Sequence, residues 1–101
     1  MAARLIWSLE ALDDIDAIAD YISRDSSYHA QAVVDAILAL EGSILAHPKA
    51  GRIVPELATP DVRERFLYSY RVLYEIREQQ IEVLAVIHGR RLLESVEDRF
   101  D

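Results

Sequence analysis

The chain has 101 residues and a mass of 11.5 kDa, with 51% hydrophobic and 29% charged residues. That composition fits one globular domain over residues 1–101, with room for one core and none for a second or for a separate cofactor domain. The absence of cysteine excludes disulfides, thiolate metal sites and a thiol nucleophile, and the net charge of −7 argues against generic nucleic-acid or anionic-membrane binding.

Arg4-Leu5-Ile6-Trp7 reads as a short strand. Ser8 follows as a helix N-cap, with Glu10 in the first turn where the helix dipole favours a carboxylate. Leu12, Ile15, Ile18, Ala19 and Ile22 recur at helical spacing, while Asp13, Asp14, Asp16 and Asp20 fall mostly off that stripe and read as a solvated face. Asp25-Ser26-Ser27 breaks the pattern and caps a second helix, whose stripe is Ala30, Val33, Ile37, Leu40 and Ile44. His47-Pro48 ends it, because a residue before proline is pushed out of the helical region. Residues 49–60 hold Gly51, Pro55 and Pro60 and read as a loop. Tyr21, Tyr28, Tyr74 and Trp7 are expected in or beside the core.

The period then changes from 3.6 to 2, and three strands follow as a meander. A turn at Glu78-Gln79 sets Ile76 opposite Ile81, Tyr74 opposite Val83 and Val72 opposite Ala85, with the strong apolar residues on one face. A three-residue turn, Tyr68 to Tyr70, sets Phe66 opposite Val72 and keeps the arginines off the core face, where charge is costly. The tail after Arg91 is short and acidic. The predicted architecture is α+β: an N-terminal strand and an antiparallel helical hairpin packed on one face of an antiparallel sheet. No stretch approaches 18 apolar residues and the N-terminus lacks a signal-peptide pattern, so a cytoplasmic protein without membrane contact is expected.

Residues 62–91 carry six arginines and four glutamates, against a strongly acidic remainder. The face opposite the helices is expected to present Arg63, Arg65 and Arg71, with His88 at a strand end, Arg90 and Arg91 just beyond Gly89, and Arg52 from the loop. Converging guanidiniums beside a histidine suit an anionic ligand or a phosphodiester transition state. The alternative is that they pair with Glu64, Glu75, Glu78 and Glu82 on a solvated face. Leu73, Leu84 and Val86 on the same face give it the mixed character of a protein-binding surface. His88 is the candidate general base because imidazole titrates near neutrality, and a structural role at the strand end is its alternative. No metal site and no cofactor motif is found.

Several segments together resemble the RelE/ParE superfamily of type II toxin–antitoxin toxins. They are Trp7-Ser8 followed by Ala11, Leu12, Asp14, Ile15, Ile18 and Tyr21-Ile22, then Pro48, Gly51-Arg52, Pro55-Glu56-Leu57 and Val62-Arg63-Glu64. The most specific are residues 70–76, YRVLYEI, and residues 81–91, IEVLAVIHGRR. The resemblance implies a growth-inhibiting toxin of the plasmid-stabilisation type, bound by a cognate antitoxin in a hetero-oligomer. It offers two targets: DNA gyrase for ParE-like members, and ribosome-bound mRNA for RelE-like endonucleases. By the same resemblance, Arg63, Arg65, Arg71 and Arg91 match the basic positions of the nucleases. Those nucleases commonly use a tail tyrosine, yet residues 92–101 contain none. A factor entering an rRNA-lined site needs a basic surface, so the net charge of −7 favours the gyrase reading. A non-toxic antitoxin-binding member is the third reading. An initially disordered antitoxin would lie in the groove between the hairpin and the sheet edge, its carboxylates capping Arg63, Arg71 or Arg90.

Overall fold

The computed structural model describes residues 4–89 and 96–100. Strand β1 (Arg4–Trp7) leads into helix α1 (Leu9–Ser23), then α2 (Ser27–Leu38) and α3 (Leu40–Ala46). A 3₁₀ turn at Pro48–Ala50 precedes β2 (Arg52–Ile53), β3 (Val62–Leu67), β4 (Tyr70–Ile76) and β5 (Gln80–His88), and a second 3₁₀ turn lies at Glu97–Arg99. The sheet order is β1-β5-β4-β3-β2.

The helix starts follow the sequence. Ser8 Oγ accepts from the Ala11 amide and Ser26 Oγ from the His29 amide, both at 3.0 Å, so each cap satisfies one unpaired donor of the first turn. The second helix is divided at Ala39, which stays right-handed helical at φ −67° and ψ −13° and still donates to the Asp35 carbonyl at 2.9 Å. The span Ser27–Ala46 is long and apolar enough to cross a membrane by length and composition alone. In this fold its apolar stripe is spent on the sheet: Val33, Ile37 and Ile44 are buried in one cluster with Ile15, Tyr74 and Val83. Each such aliphatic side chain stabilises the fold by about 1.5–3 kcal/mol. Tyr21 and Tyr28, expected near the core, are 69% and 87% exposed.

Three features of the sheet depart from expectation. It is mixed, because β1 runs parallel to β5, with Leu5 opposite Ile81 and Trp7 opposite Val83. Part of the 49–60 loop is a strand, since Arg52 and Ile53 pair with Glu64 and Arg63. Between β3 and β4 the turn has two residues, Tyr68 and Ser69, so that Leu67 pairs with Tyr70 and Arg65 with Val72. Tyr68 takes φ 54° at the first central position, the backbone of a II′-type hairpin turn.

The one-residue change of register turns Arg63 and Arg65 onto the helix face and Val62, Glu64 and Phe66 onto the other. In β4–β5, Ile76 faces Ile81 and Tyr74 faces Val83 as expected, but Leu73 then faces Ala85 and Val72 faces Val86. Leu84 is the extra residue of this bulge. The face opposite the helices is therefore not a bare surface. Val54, Val62, Leu73, Ala85, Ile87 and Val96 form a second buried cluster there, with Leu57 and Phe100 packed on it. Loop and tail supply the cover, so the expectation of a single core fails.

Candidate functional site

The sheet divides the seven candidate residues. Arg52 and Arg71 lie on the face away from the helices, Arg63 and Arg65 on the helix face, and His88 at the far end of β5. Arg90 and Arg91 lie outside the described residues. The expected convergence of Arg63, Arg65 and Arg71 on one face is thus corrected by the two-residue turn at Tyr68-Ser69.

Arg71 is buried, at 6% exposure, and its fork is full. Its Nε donates to Glu64 Oε1 at 2.8 Å, and Nη1 and Nη2 donate to the two oxygens of Glu56 at 3.0 Å each. Glu64 is fully buried as a side chain and also accepts from Arg52 Nε at 2.7 Å. Arg52 itself remains 58% exposed in its side chain and lies 5.2 Å from the centre of the Phe66 ring. The hydrogen bond from Arg71 holds the Glu56 carboxyl below the usual carboxylate range, against the opposing effect of its burial. The same bond, with that to Glu64, raises Arg71. The pairing of arginine with Glu64 is the alternative that the sequence left open, realised in a buried site rather than on a solvated one.

Arg63 and Arg65 act on backbone. Arg63 donates to the carbonyls of Pro60, Lys49 and Gly51 at 2.8, 2.9 and 3.1 Å. Arg65 donates to Ser43 Oγ and to the His47 carbonyl, each at 2.9 Å. Tyr74 Oη adds a 2.6 Å bond to the Pro48 carbonyl. The Arg65 guanidinium lies at the C-terminal end of α3, where the negative end of the helix dipole favours a cation, and that of Arg63 bridges carbonyls of the following loop. That is why charge is tolerated on the helix face: both side chains reach carbonyls at the rim.

His88 is exposed and meets Tyr70 edge-on, with ring centres 5.8 Å apart. Around it lies a trough of about 470 Å³ lined by Tyr21, His29, Tyr68, Tyr70 and His88. It shares Tyr21, Tyr70 and His88 with a neighbouring hollow of about 240 Å³, which reaches Asp14 and Val86. Periodicity did not place His29 beside His88, and it read Tyr21 as core. A larger hollow of about 650 Å³ opens at the other end of the sheet, between residues 46–50 and Ile76, Arg77 and Glu78. Among the described residues, no group of three or more His, Asp or Glu is arranged to hold a metal ion.

The arrangement offers an aromatic, partly apolar trough on the hairpin side and exposed Arg52 on the other. Among the described residues, neither is a cluster of free guanidiniums around a base. Comparison with known proteins adds the following. Residues 5–93 match the family described as ParE toxin of type II toxin-antitoxin system, parDE. Toxin RelE2 of Caulobacter vibrioides is 30% identical over 91 residues, covering 89% of this chain and 99% of that protein. A chain in the structure of the chromosomal ParDE TA system from P. aeruginosa superposes with a TM-score of 0.70 at 23% identity, over 84% of this chain and 94% of that one. At that identity the likeness speaks for the fold.

Proposed function

Because this chain belongs to the ParE toxin family of type II toxin–antitoxin systems, we propose that it arrests growth by binding DNA gyrase rather than by cutting mRNA. The observation that carries this reading is the commitment of the meander arginines. A nuclease needs donors aimed at the charge that develops on phosphate, free until the reaction. Here the Arg71 fork is filled by Glu64 and Glu56, and Arg63 and Arg65 donate to backbone carbonyls of residues 47–60. Among the described residues, the sheet separates His88 on the helix face from Arg71 on the other, and Arg63 and Arg65 point to the rim at residues 43–60. The net charge of −7 supports the same reading, since phosphate contacts dominate affinity for an RNA-lined site.

A toxin of this family has a cognate antitoxin as its partner. The Tyr21–Tyr70–His88 trough suits an extended segment that orders on binding, with apolar side chains against Tyr21 and Tyr68. Arg52, exposed on the other face, is the candidate contact for a carboxylate of antitoxin or target. The inhibitor acts in the cytoplasm, without cofactor.

Expression of the chain alone in bacterial cells, followed by mapping of mRNA 5′ ends, tests the reading. Growth arrest with unaltered 5′ ends is expected. New ends at defined codon positions would favour the ribosomal endonuclease instead.

A further inference from the structure

Strand β1 covers only the first part of the β5 edge. Its last bond is from the Ser8 amide to the Val83 carbonyl at 3.0 Å, and β5 runs on to His88. The bulge at Leu84 comes immediately after, and two backbone groups at this edge are met by side chains instead of a strand. Asp14 Oδ2 accepts from the Val86 amide at 2.9 Å. Arg99 Nη1 donates to the Leu84 carbonyl at 3.0 Å. These two side chains also bind each other, Arg99 Nη1 to Asp14 Oδ2 at 2.7 Å and Nη2 to Oδ1 at 3.3 Å. Asp14 stands on α1 on one side of the sheet, and Arg99 on the C-terminal turn whose neighbours Val96 and Phe100 pack on the other. The bidentate pair therefore bridges the two faces around the sheet edge.

We propose that residues 96–100 are a strap, latched to α1 by the Asp14–Arg99 pair and closing the sheet face that carries Leu73, Ala85, Ile87 and the buried Arg71. The latch is local: Arg99 is the chain's single basic residue beyond 91. Its side chain is 20% exposed and that of Asp14 11%, so the pair is shielded from solvent more than a surface ion pair is. Val96, fully buried, is the apolar anchor that the latch holds in place. Among the described residues this short segment is held by Val96, Phe100 and the bonds of Arg99, and its local opening requires far less than global unfolding. Opening uncovers the apolar side chains Leu73, Ala85 and Ile87 of that face. Asp14 and Arg99 are thus positioning residues for that face.

Amide exchange on the whole chain tests the strap, with binding of an apolar naphthalene-sulfonate dye as the second readout. Arg99→Gln and Asp14→Asn each remove the charge pair, and the asparagine keeps an acceptor for the Val86 amide. In both variants exchange at the position 99 amide, which donates to the Val96 carbonyl, is expected to rise about 10- to 100-fold, the scale of one lost charge-assisted hydrogen bond. Dye binding rises with it, while the Tyr74 and Ile81 amides keep their protection. Unchanged exchange at position 99 together with unchanged dye binding would overturn the proposal. If a single variant unfolds globally, Arg99→Lys decides, because it keeps the charge and a donor: protection at position 99 near that of the unaltered chain supports the latch, and loss of protection by about 10-fold or more in a folded Arg99→Lys chain overturns it.

Discussion

Arg71 and Glu64 are diagonal neighbours on β4 and β3, and Arg71 Nε donates to Glu64 Oε1 at 2.8 Å between side chains that are 7% and 0% exposed. Removing one partner leaves the other buried charge with a single remaining partner, Arg52 for Glu64 and Glu56 for Arg71, so the cost should fall below the about 3–5 kcal/mol of an uncompensated buried charge. Arg71→Met and Glu64→Leu are each expected to destabilise by about 1–3 kcal/mol in urea denaturation. Combined, they should cost less than the sum of the two, because no buried charge is left alone. Additive losses would contradict the pairing as described.

The Glu56 carboxyl gives the fold a sensitivity to acid. Its folded pKa lies below the ordinary value of 4.5, chiefly through the Arg71 hydrogen bond. A depressed carboxylate contributes stability that is whole above the unfolded value and is lost as pH falls through the folded one. Stability is therefore expected to decline below about pH 4.5, and Glu56→Gln should flatten the decline. With 43% of the Glu56 side chain exposed, the loss at neutral pH should stay within about 1 kcal/mol. Thermal melts across pH 3–7 measure both.

Gly51 has no room for a side chain. A Cβ there would collide with Tyr74 Oη and stand 2.9 Å from the Glu64 carbonyl oxygen. Gly51→Ala is expected to cost about 1–3 kcal/mol. Tyr74→Phe gives up the bond to the Pro48 carbonyl but also removes the colliding oxygen. In a double-mutant cycle the two changes should therefore cost less together than their sum. Full additivity would show that the backbone carbonyl, not the tyrosine, sets the limit.

Tyr68 holds φ 54° without being glycine, and it is 69% exposed. Tyr68→Gly relieves the left-handed backbone and gives up little packing, while adding freedom to the unfolded chain. The expected outcome lies between neutral and about 1 kcal/mol of stabilisation. Ser69→Gly, at a position with ordinary φ, should destabilise. The pair of melting temperatures separates the two residues of the turn.

Much of this architecture is legible in the residues, for identifiable reasons. Ser8 and Ser26 cap because their hydroxyls reach amides three residues on, a local property. The stripe from Val33 to Ile44 is periodic, and it is buried. What escapes sequence reasoning is non-local. Val83-Leu84-Ala85-Val86 is apolar throughout, so nothing in it marks the bulge that shifts Val72 from Ala85 to Val86. The turn at Tyr68-Ser69 lacks glycine, and the penalty assumed for Arg63 and Arg65 on the helix face disappears once the carbonyls at residues 47–51 are near. Asp14 reads as one more solvated acid on α1 until Arg99, 85 residues away, is seen beside it. The candidate site suffers most, because one step of register decides which arginines share a face.

The most direct test of the account is supercoiling of relaxed DNA by purified gyrase, titrated with the purified chain. The account predicts loss of supercoiling as the chain is added, retained in Arg65→Lys if the fold is intact, because Arg65 serves the α3 carbonyls rather than the target. Undiminished supercoiling at every concentration, with a chain that still arrests growth in cells, would contradict it.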